Sequence, residues 1–156
     1  RSPTGDPRGT PPDDAPLVGL SATASPPWLD ALPDAFAALW GQAPWVPADD
    51  RLAVELATTE IAANIVRHSP APETVEVRAE LDAGAGRVVV VLRDTAPAAD
   101  VDLDRTMPPP EAESGRGLAL ARACVDRLEH RWVAGTSGNE WRLERRVRTA
   151  GGGPGG

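Results

Sequence analysis

The chain has 156 residues, of which 41% are hydrophobic, and this length fits one domain with a modest single core. Its net charge of −7 argues against binding to DNA or RNA, because proteins that bind a phosphate backbone usually display a basic face. All 16 basic residues are arginine, so the sequence excludes a P-loop lysine, a Schiff-base lysine and the strand lysine of ordinary protein kinases.

The two ends of the chain differ in composition from the middle. Residues 1–15 are rich in Pro, Gly and Asp and are predicted to form a disordered arm, and residues 149–156 are predicted to form a flexible tail. The folded domain is therefore expected to cover residues 16–148. The single cysteine, Cys124, cannot form an internal disulfide. No apolar run approaches the roughly 20 residues of a membrane span and no leader is evident, so we expect a cytoplasmic protein.

The first half of the domain predicts one strand followed by two helices. Leu17–Thr23 is expected to be a short strand. Pro26-Pro27 then begins a helix with apolar positions at Trp28, Leu32, Phe36, Leu39 and Trp40. Residues 47–50 supply an N-cap and an acidic first turn to a long second helix. This helix is expected to end near Ser69-Pro70, because the residue before a proline leaves the helical region.

The second half predicts strands on either side of a long loop and a third helix. Residues 74–81 alternate with a period of two, and a glycine-containing turn leads into a more deeply buried strand over residues 87–93. The connection over residues 94–113 has little periodicity, and a loop of this length usually acts as a lid or a binding loop. A helix beginning at residues 114–117 is predicted to bury four side chains, and two strands near residues 129–134 and 140–147 follow. The four side chains are Leu118, Ala121, Val125 and Leu128.

The second helix carries three polar residues at spacings of four, namely Glu60, Asn64 and His68. At about 100° per residue, neighbours in this file are offset by only about 40° and lie about 6 Å apart on one helix face. A metal-bound ligand could contact two of them at once, although a solvated helix face would show the same spacing. The file runs between two predicted apolar stripes. One contains Leu52, Leu56, Thr59, Ala63 and Val66, and the other contains Val54, Ile61 and Ile65.

Gly115 and Gly117 flank Arg116 at the predicted start of the third helix. Glycines let backbone amides approach a ligand closely, and the positive end of a helix dipole favours phosphate. A hinge or an N-cap without a ligand would show the same pair of glycines. Combined with the polar file and with Asp94 at the junction of a buried strand and a long loop, the pair predicts an anion site.

In their order and spacing, these three motifs resemble those of the GHKL ATPases, and among them the anti-sigma-factor serine kinases of bacterial partner-switching systems. The resemblance covers roughly residues 17–148. It rests on three family motifs, Glu-x-x-x-Asn-x-x-x-His, Asp-x-Gly-x-x-Phe-Asp and Gly-x-Gly-Leu. They are matched here by Glu60, Asn64 and His68, by Asp94 and Asp100, and by Gly115, Gly117 and Leu118. The resemblance implies a two-layer α/β sandwich of the GHKL (Bergerat) type, with a mixed, mainly antiparallel sheet and helices on one face.

The resemblance also implies that the domain binds ATP and Mg²⁺. Asn64 would supply an oxygen to Mg²⁺, and Glu60 would accept a proton from the attacking hydroxyl or water. Asp94, with Ala96 beside it, would bind the adenine amino group. The phosphates would contact the third motif, at Gly115, Arg116, Gly117 and Leu118. His68 is as readily explained by packing or loop contact as by chemistry.

The sequence departs from the family pattern on the adenine side. The family glycine two residues after the aspartate is Ala96, and the usual aromatic residue is Ala99. A threonine that often supports the adenine site is not evident near Glu140-Trp141-Arg142. The methyl group of Ala96 costs little if its φ is negative, and more than about 1 kcal/mol if it crowds the base or needs a left-handed conformation.

The leading hypothesis is a Mg-ATP-dependent serine kinase that phosphorylates an anti-sigma factor antagonist and sequesters a sigma factor. The alternative, motivated by Ala96 and Ala99, is a regulatory binding module of the same fold with weak or no phosphoryl transfer. A histidine kinase catalytic domain is a third interpretation, disfavoured because no dimerisation helices or phosphoacceptor segment precede residue 17. The fourth interpretation is a domain that binds no nucleotide.

Five tryptophans are more than a small core needs, and three of them, Trp28, Trp40 and Trp45, lie around the first helix. Core packing is the default expectation for each. Any that are exposed would indicate a partner surface or a homodimer face, because aromatic residues are enriched at interface cores.

Overall fold

The computed structural model of the chain describes residues 17–69, 71–98, 116–135 and 138–148. The predicted arm and tail lie outside these residues, as do Ala99, Asp100 and Gly115. The elements follow in chain order. They are strand β1 (Leu17–Thr23), helix α1 (Pro26–Gln42), helix α2 (Ala48–His68), a 3₁₀ turn (Pro72–Thr74), strand β2 (Glu76–Gly84), strand β3 (Arg87–Asp94), helix α3 (Arg116–Cys124), strand β4 (Arg127–Val133) and strand β5 (Gly138–Arg146).

The five strands form one sheet in the order β1-β2-β3-β5-β4, and every neighbouring pair is antiparallel. Alternate residues of β2, β3 and β5 are buried in one core with α1 and α2, so the helices cover one face of the sheet. The predicted α/β fold is thereby confirmed, and the described sheet is antiparallel throughout rather than mixed. Strand β3 is buried from Val88 to Leu92, as its apolar run predicts.

A two-residue turn joins β2 to β3. Ala85 has φ of 52° and Gly86 has φ of 74°, and positive φ at both central residues is the geometry whose twist matches that of the flanking strands. Gly84 and Arg87 therefore pair directly across the hairpin.

Helix α1 buries the five side chains that its periodicity predicts, from Trp28 to Trp40. Trp40 also connects α1 to α2. Its ring lies under the Arg51 guanidinium, 5.6 Å from the ring centroid, and its indole Nε1 donates a hydrogen bond to Glu55 Oε1 at 2.5 Å. These contacts fix one side of α2 against α1.

Helix α2 ends at His68, close to the predicted position, and Ser69 has extended backbone with ψ of 119°. Val54, Ile61 and Ile65 are buried as predicted. The prediction that Leu52 and Leu56 belong to a second buried stripe is wrong, because these side chains are 65% and 37% exposed. In a two-layer fold a helix meets the sheet on one face only, and this stripe lies on the opposite, outer face.

Helix α3 ends at Cys124, whose carbonyl oxygen accepts a hydrogen bond from Arg145 Nη1 at 2.6 Å. Of the four side chains predicted to be buried by this helix, Ala121 is fully buried and Leu118 is partly buried. Val125 lies after the helix and Leu128 lies in β4, so neither belongs to α3 as predicted, although both are partly buried against the core. The apolar spacing continued past the helix end because alternate residues of β4 also face the core.

The other sheet face carries no helix among the described residues, and charged side chains cover it instead. An ion-pair row crosses β2, β3, β5 and β4 through Arg78, Glu80, Arg93, Glu140 and Arg131. From Arg78 to Arg131, the nitrogen–oxygen distances of the four successive ion pairs are 3.2, 3.2, 2.9 and 2.7 Å. Val89 and Val91 lie on this face and are nevertheless buried. The aliphatic stems of long charged side chains can provide such a cover.

Candidate functional site

The first and third sequence motifs meet where α2 packs against α3. Glu60 is half-buried on α2, and Gly117 lies in the first turn of α3. A Cβ atom added to Gly117 would lie 2.3 Å from Glu60 Oε2 and 3.3 Å from Glu60 Cδ. A side chain at Gly117 would overlap the carboxylate where it now lies, so the structure brings the first and third motifs into contact.

The electrostatics of this contact favour a negatively charged group. The first backbone amides of a helix have no partner within the helix, and the dipole places partial positive charge at that end. The Glu60 carboxylate lies beside this end of α3, and Arg116 is exposed at the first helical residue. Phosphate oxygens that approached the same end would meet amides and a guanidinium.

Asn64 lies one turn after Glu60 and is also half-buried. Its carboxamide oxygen Oδ1 accepts a hydrogen bond from Arg67 Nη1 at 3.1 Å, so that oxygen already contacts a cation. His68, the last residue of α2, is exposed. The polar file thus runs from the contact with α3 out to the protein surface.

Asp94 is the last residue of β3 and is only 5% exposed. Its Oδ1 accepts hydrogen bonds from Asn139 Nδ2 at 2.9 Å and from the Ala96 amide at 3.0 Å. Burial raises the pKa of Asp94 above its usual value, while the bonds from Asn139 and Ala96 favour the ionised form and limit the rise. Both of these bonds go to Oδ1, and neither occupies Oδ2.

The backbone at Ala96 is unstrained. Within the described part of the chain, Ala85 is the residue other than glycine that has a positive φ, so Ala96 has an ordinary conformation. Its side chain packs against the core. Replacement of the family glycine by alanine therefore requires no left-handed backbone at this position.

Comparison with known families agrees with this arrangement. A family model described as a histidine kinase-like ATPase domain matches residues 23–144. The chain belongs to this family. Membership indicates ATP binding and confirms the GHKL resemblance found in the sequence. A search of curated proteins finds no match.

In this ATPase domain, Asn139 is the hydrogen-bond partner of Asp94 that sequence analysis missed. It is 3% exposed and lies directly opposite Asp94 in the pairing of β3 with β5. The sequence prediction placed the supporting polar residue near residues 140–142, and Asn139 lies one position before that segment. Strand register identifies Asn139 as the partner of Asp94, but only once β5 is known to pair with β3.

Gly138 allows this pairing to close tightly. A Cβ atom added to Gly138 would lie 2.1 Å from the backbone oxygen of Asp94 and 3.1 Å from its carbonyl carbon. Two glycines of the ATPase domain thus allow close contacts. Gly117 lies close to the side chain of Glu60, and Gly138 lies close to the backbone of Asp94.

Mg²⁺ commonly accompanies ATP in such domains, and the residues present fit that ion. The described residues contain no group of three or more His, Cys, Asp and Glu side chains that could hold a metal. Mg²⁺ needs no such cage, because it keeps several waters and binds one or two protein oxygens together with phosphates. Glu60 and Asn64 offer oxygens one turn apart on α2.

Within the described residues, no helix is both long and apolar enough to cross a membrane.

Proposed function

We propose that this domain is an ATP-dependent protein serine/threonine kinase of the anti-sigma-factor type. It phosphorylates an anti-sigma factor antagonist and regulates a sigma factor by partner switching. The observation that carries this proposal is the contact of the Glu60 carboxylate with Gly117 at the N-terminus of α3. A proton acceptor beside a helix end that attracts phosphate is the combination that phosphoryl transfer to a hydroxyl needs.

Each residue of the site has a defined task in this proposal. Glu60 accepts the proton of the attacking serine or threonine hydroxyl. Asn64 binds Mg²⁺ through Oδ1, and the chemistry that the ion supplies when bound is neutralisation of phosphate charge. The phosphates contact the first turn of α3 and Arg116, while Asp94 Oδ2 accepts a hydrogen bond from the adenine amino group.

The test is transfer of phosphate from labelled ATP to a small antagonist protein. We expect Glu60→Gln to lower the transfer rate by at least about 100-fold, because loss of a general base typically costs 10²–10⁴ in rate. ATP affinity should be nearly unchanged, since the carboxylate acts in the chemical step. Glu73→Gln is the matched control, because Glu73 is an exposed carboxylate in the 3₁₀ turn outside the site.

Two outcomes would contradict the kinase proposal. One is transfer at the parent rate by the Glu60→Gln variant. The other is an absence of Mg-ATP binding at millimolar concentration by protein whose fold is intact.

A regulatory binding module with weak phosphoryl transfer is the second candidate, and the Arg67 contact favours it. Arg67 Nη1 holds the same Asn64 oxygen that Mg²⁺ would need. If that contact persists with nucleotide present, ATP binds but transfer is slow. Tight ATP binding with no detectable transfer, relieved in an Arg67→Ala variant, would support this candidate over the first.

The partners in the proposal are proteins of the cytoplasm, an antagonist and a sigma factor, with neither nucleic acid nor membrane as a direct partner. Trp28, Trp40 and Trp141 are buried, as expected of core residues, whereas Trp45 and Trp132 are each 41% exposed. The expectation that exposed tryptophans contribute to a partner surface or a homodimer face therefore applies to Trp45 and Trp132, and it stays a prediction.

A further inference from the structure

A row of hydrogen bonds crosses three strands behind the base-binding aspartate. His130 Nε2 on β4 lies 2.9 Å from Asn139 Oδ1 on β5, and Asn139 Nδ2 lies 2.9 Å from Asp94 Oδ1 on β3. Asn139 Nδ2 also donates to the backbone oxygens of Ala96 at 3.3 Å and Pro97 at 3.0 Å. The row connects the edge strand of the sheet to the carboxylate that the proposed function assigns to the adenine group.

Hydrogen-bond chemistry fixes the direction of this row. The Asp94 carboxylate and the two backbone oxygens can only accept, so the NH₂ end of the Asn139 amide must face them. The Asn139 amide oxygen therefore faces His130, and this oxygen can also only accept a hydrogen bond. His130 Nε2 therefore carries the proton. A reversed amide would set its oxygen against three acceptors.

The His130 ring is itself held in position. It packs against the buried Trp141 with a centroid distance of 4.5 Å and an interplanar angle of 53°. His130 and Trp141 are also directly opposite in the pairing of β4 with β5. The ring thus presents its Nε2 donor to Asn139 from a fixed place.

We propose that His130 is a positioning residue for nucleotide recognition: by orienting the Asn139 amide, it holds Asp94 Oδ1 in place and leaves Oδ2 as the acceptor for the amino group of the base. The inference rests on the proposed binding of adenine by Asp94. Without the His130 donor, the Asn139 amide keeps its acceptors but loses the hydrogen bond to its oxygen, so the Nδ2 bond that fixes the Asp94 carboxylate is held less firmly. Selectivity for a purine with a 6-amino group falls in consequence, while contacts to the phosphates are untouched.

The test compares two substitutions at His130. His130→Phe keeps an aromatic ring against Trp141 and removes the donor. His130→Gln removes the ring and any charge it carries, but its side-chain amide can still donate to Asn139 Oδ1. If His130→Phe, which keeps the ring, loses the effect, and His130→Gln, which lacks both the ring and the charge, retains it, then the hydrogen bond rather than packing or charge is responsible.

The first measurement is titration calorimetry with Mg²⁺ and either ATP or purine riboside triphosphate, which lacks the 6-amino group. We expect the parent protein to prefer ATP by about 10- to 100-fold, the range for a hydrogen bond to a charged group. His130→Phe should lower that preference to below about 5-fold through weaker ATP binding alone, and His130→Gln should restore it. An unchanged preference, or an equal loss of affinity for both nucleotides, would overturn the proposal.

The second measurement needs no nucleotide and separates this inference from the proposed function. Carbon-13 NMR of the Asp94 carboxyl group follows its titration in the free protein. His130→Phe should raise the pKa of Asp94 further, since a bond that favours the ionised form is lost, and His130→Gln should raise it less. Equal pKa values of Asp94 in the two variants would refute the positioning role, whether or not ATP binds. Failure of the parent to bind ATP, with the expected difference present, would refute the proposed function alone.

Discussion

Gly117 shows at the residue scale how one absent side chain can serve chemistry rather than folding. A methyl group at this position would overlap Glu60 Oε2, which is the end of a flexible side chain and can move away. We expect Gly117→Ala to lower phosphoryl transfer by about 10- to 100-fold, because misplacement of a reacting group by about 1 Å has effects of that size. The free energy of unfolding should stay equal or rise by up to about 1 kcal/mol, since alanine is the better helix former.

Gly41 in α1 provides the control for that prediction. A Cβ atom there would meet nothing within 4 Å, so Gly41→Ala should give the same gain in helix stability with unchanged activity. Transfer assays and denaturant unfolding of the two variants measure both quantities. Full activity in Gly117→Ala would show that the position of Glu60 does not matter for transfer.

Asp94, the proposed adenine acceptor, carries a cost of folding. Its pKa is raised by burial, so the folded state binds the proton more tightly than the unfolded chain does. Its contribution to stability therefore declines as pH rises from the usual value of about 3.9 through the folded pKa. At neutral pH, the ionised carboxylate destabilises the fold.

We expect Asp94→Asn to be at least as stable as the parent at pH 7, because its amide oxygen can still accept from Asn139 and Ala96. Its ATP affinity should fall about 10- to 100-fold, since an NH₂ donor replaces the acceptor that faces the base. Unfolding curves at several pH values and calorimetric titration test both parts. A variant that is clearly less stable at pH 7 but equal in ATP affinity would contradict this account.

At the scale of elements, the ion-pair row takes the place of a second layer on the open face of the sheet. Desolvation by itself would raise the pKa of Glu140, but hydrogen bonds from Arg93 and Arg131 and their positive charges outweigh it, and the pKa is lowered. A carboxylate with a lowered folded pKa stabilises the fold above its unfolded pKa, and this stability is lost as pH falls through the folded pKa.

Glu140→Gln should therefore destabilise the protein by about 0.5–2 kcal/mol at pH 7. The difference should shrink at high salt and disappear as the pH falls through the lowered folded pKa of Glu140, where the carboxylate protonates. Glu129→Gln is the matched control, because Glu129 pairs with Arg127 on an exposed part of the same face and should change stability by less than about 0.5 kcal/mol. Unfolding of both variants at two pH values and two salt concentrations measures these differences. Equal destabilisation by Glu140→Gln under all four combinations would argue against an ionic origin of the stability that Glu140 provides.

The same elements show what sequence can and cannot predict here. The apolar run of β3 and the four-residue spacing of the polar file on α2 are local patterns, and both elements form as predicted. Periodicity also found the outer stripe at Leu52 and Leu56, but it does not tell which face of a helix meets the sheet. The pairing of Asn139 with Asp94 depends on β5 lying between β3 and β4, a non-local arrangement that no spacing along the chain reveals.

At the scale of the whole molecule, the ligand should tie the helical layer to the sheet. The phosphate side belongs to α2 and α3, and the base side belongs to β3 and β5, so a nucleotide that contacts both can stabilise only the folded state. At a concentration about 100 times its dissociation constant, Mg-ATP should add about 2.7 kcal/mol and raise the melting temperature by about 5–10 °C.

Differential scanning calorimetry measures this shift. Glu60→Gln should keep most of it, because that carboxylate acts in the chemical step, and Asp94→Asn should lose most of it at the same nucleotide concentration. Equal shifts for the two variants would mean that the base side contributes little to binding.

The close approach of Gly138 to Asp94 has a consequence for the order in which function appears during synthesis. The residues that support the base carboxylate come from the last hairpin, and Asn139 lies 45 positions after Asp94. A nascent chain can form α1, α2 and the β2–β3 hairpin long before β5 leaves the ribosome. The proposed adenine site would be completed only with β5, so ATP binding would depend on synthesis of this last strand.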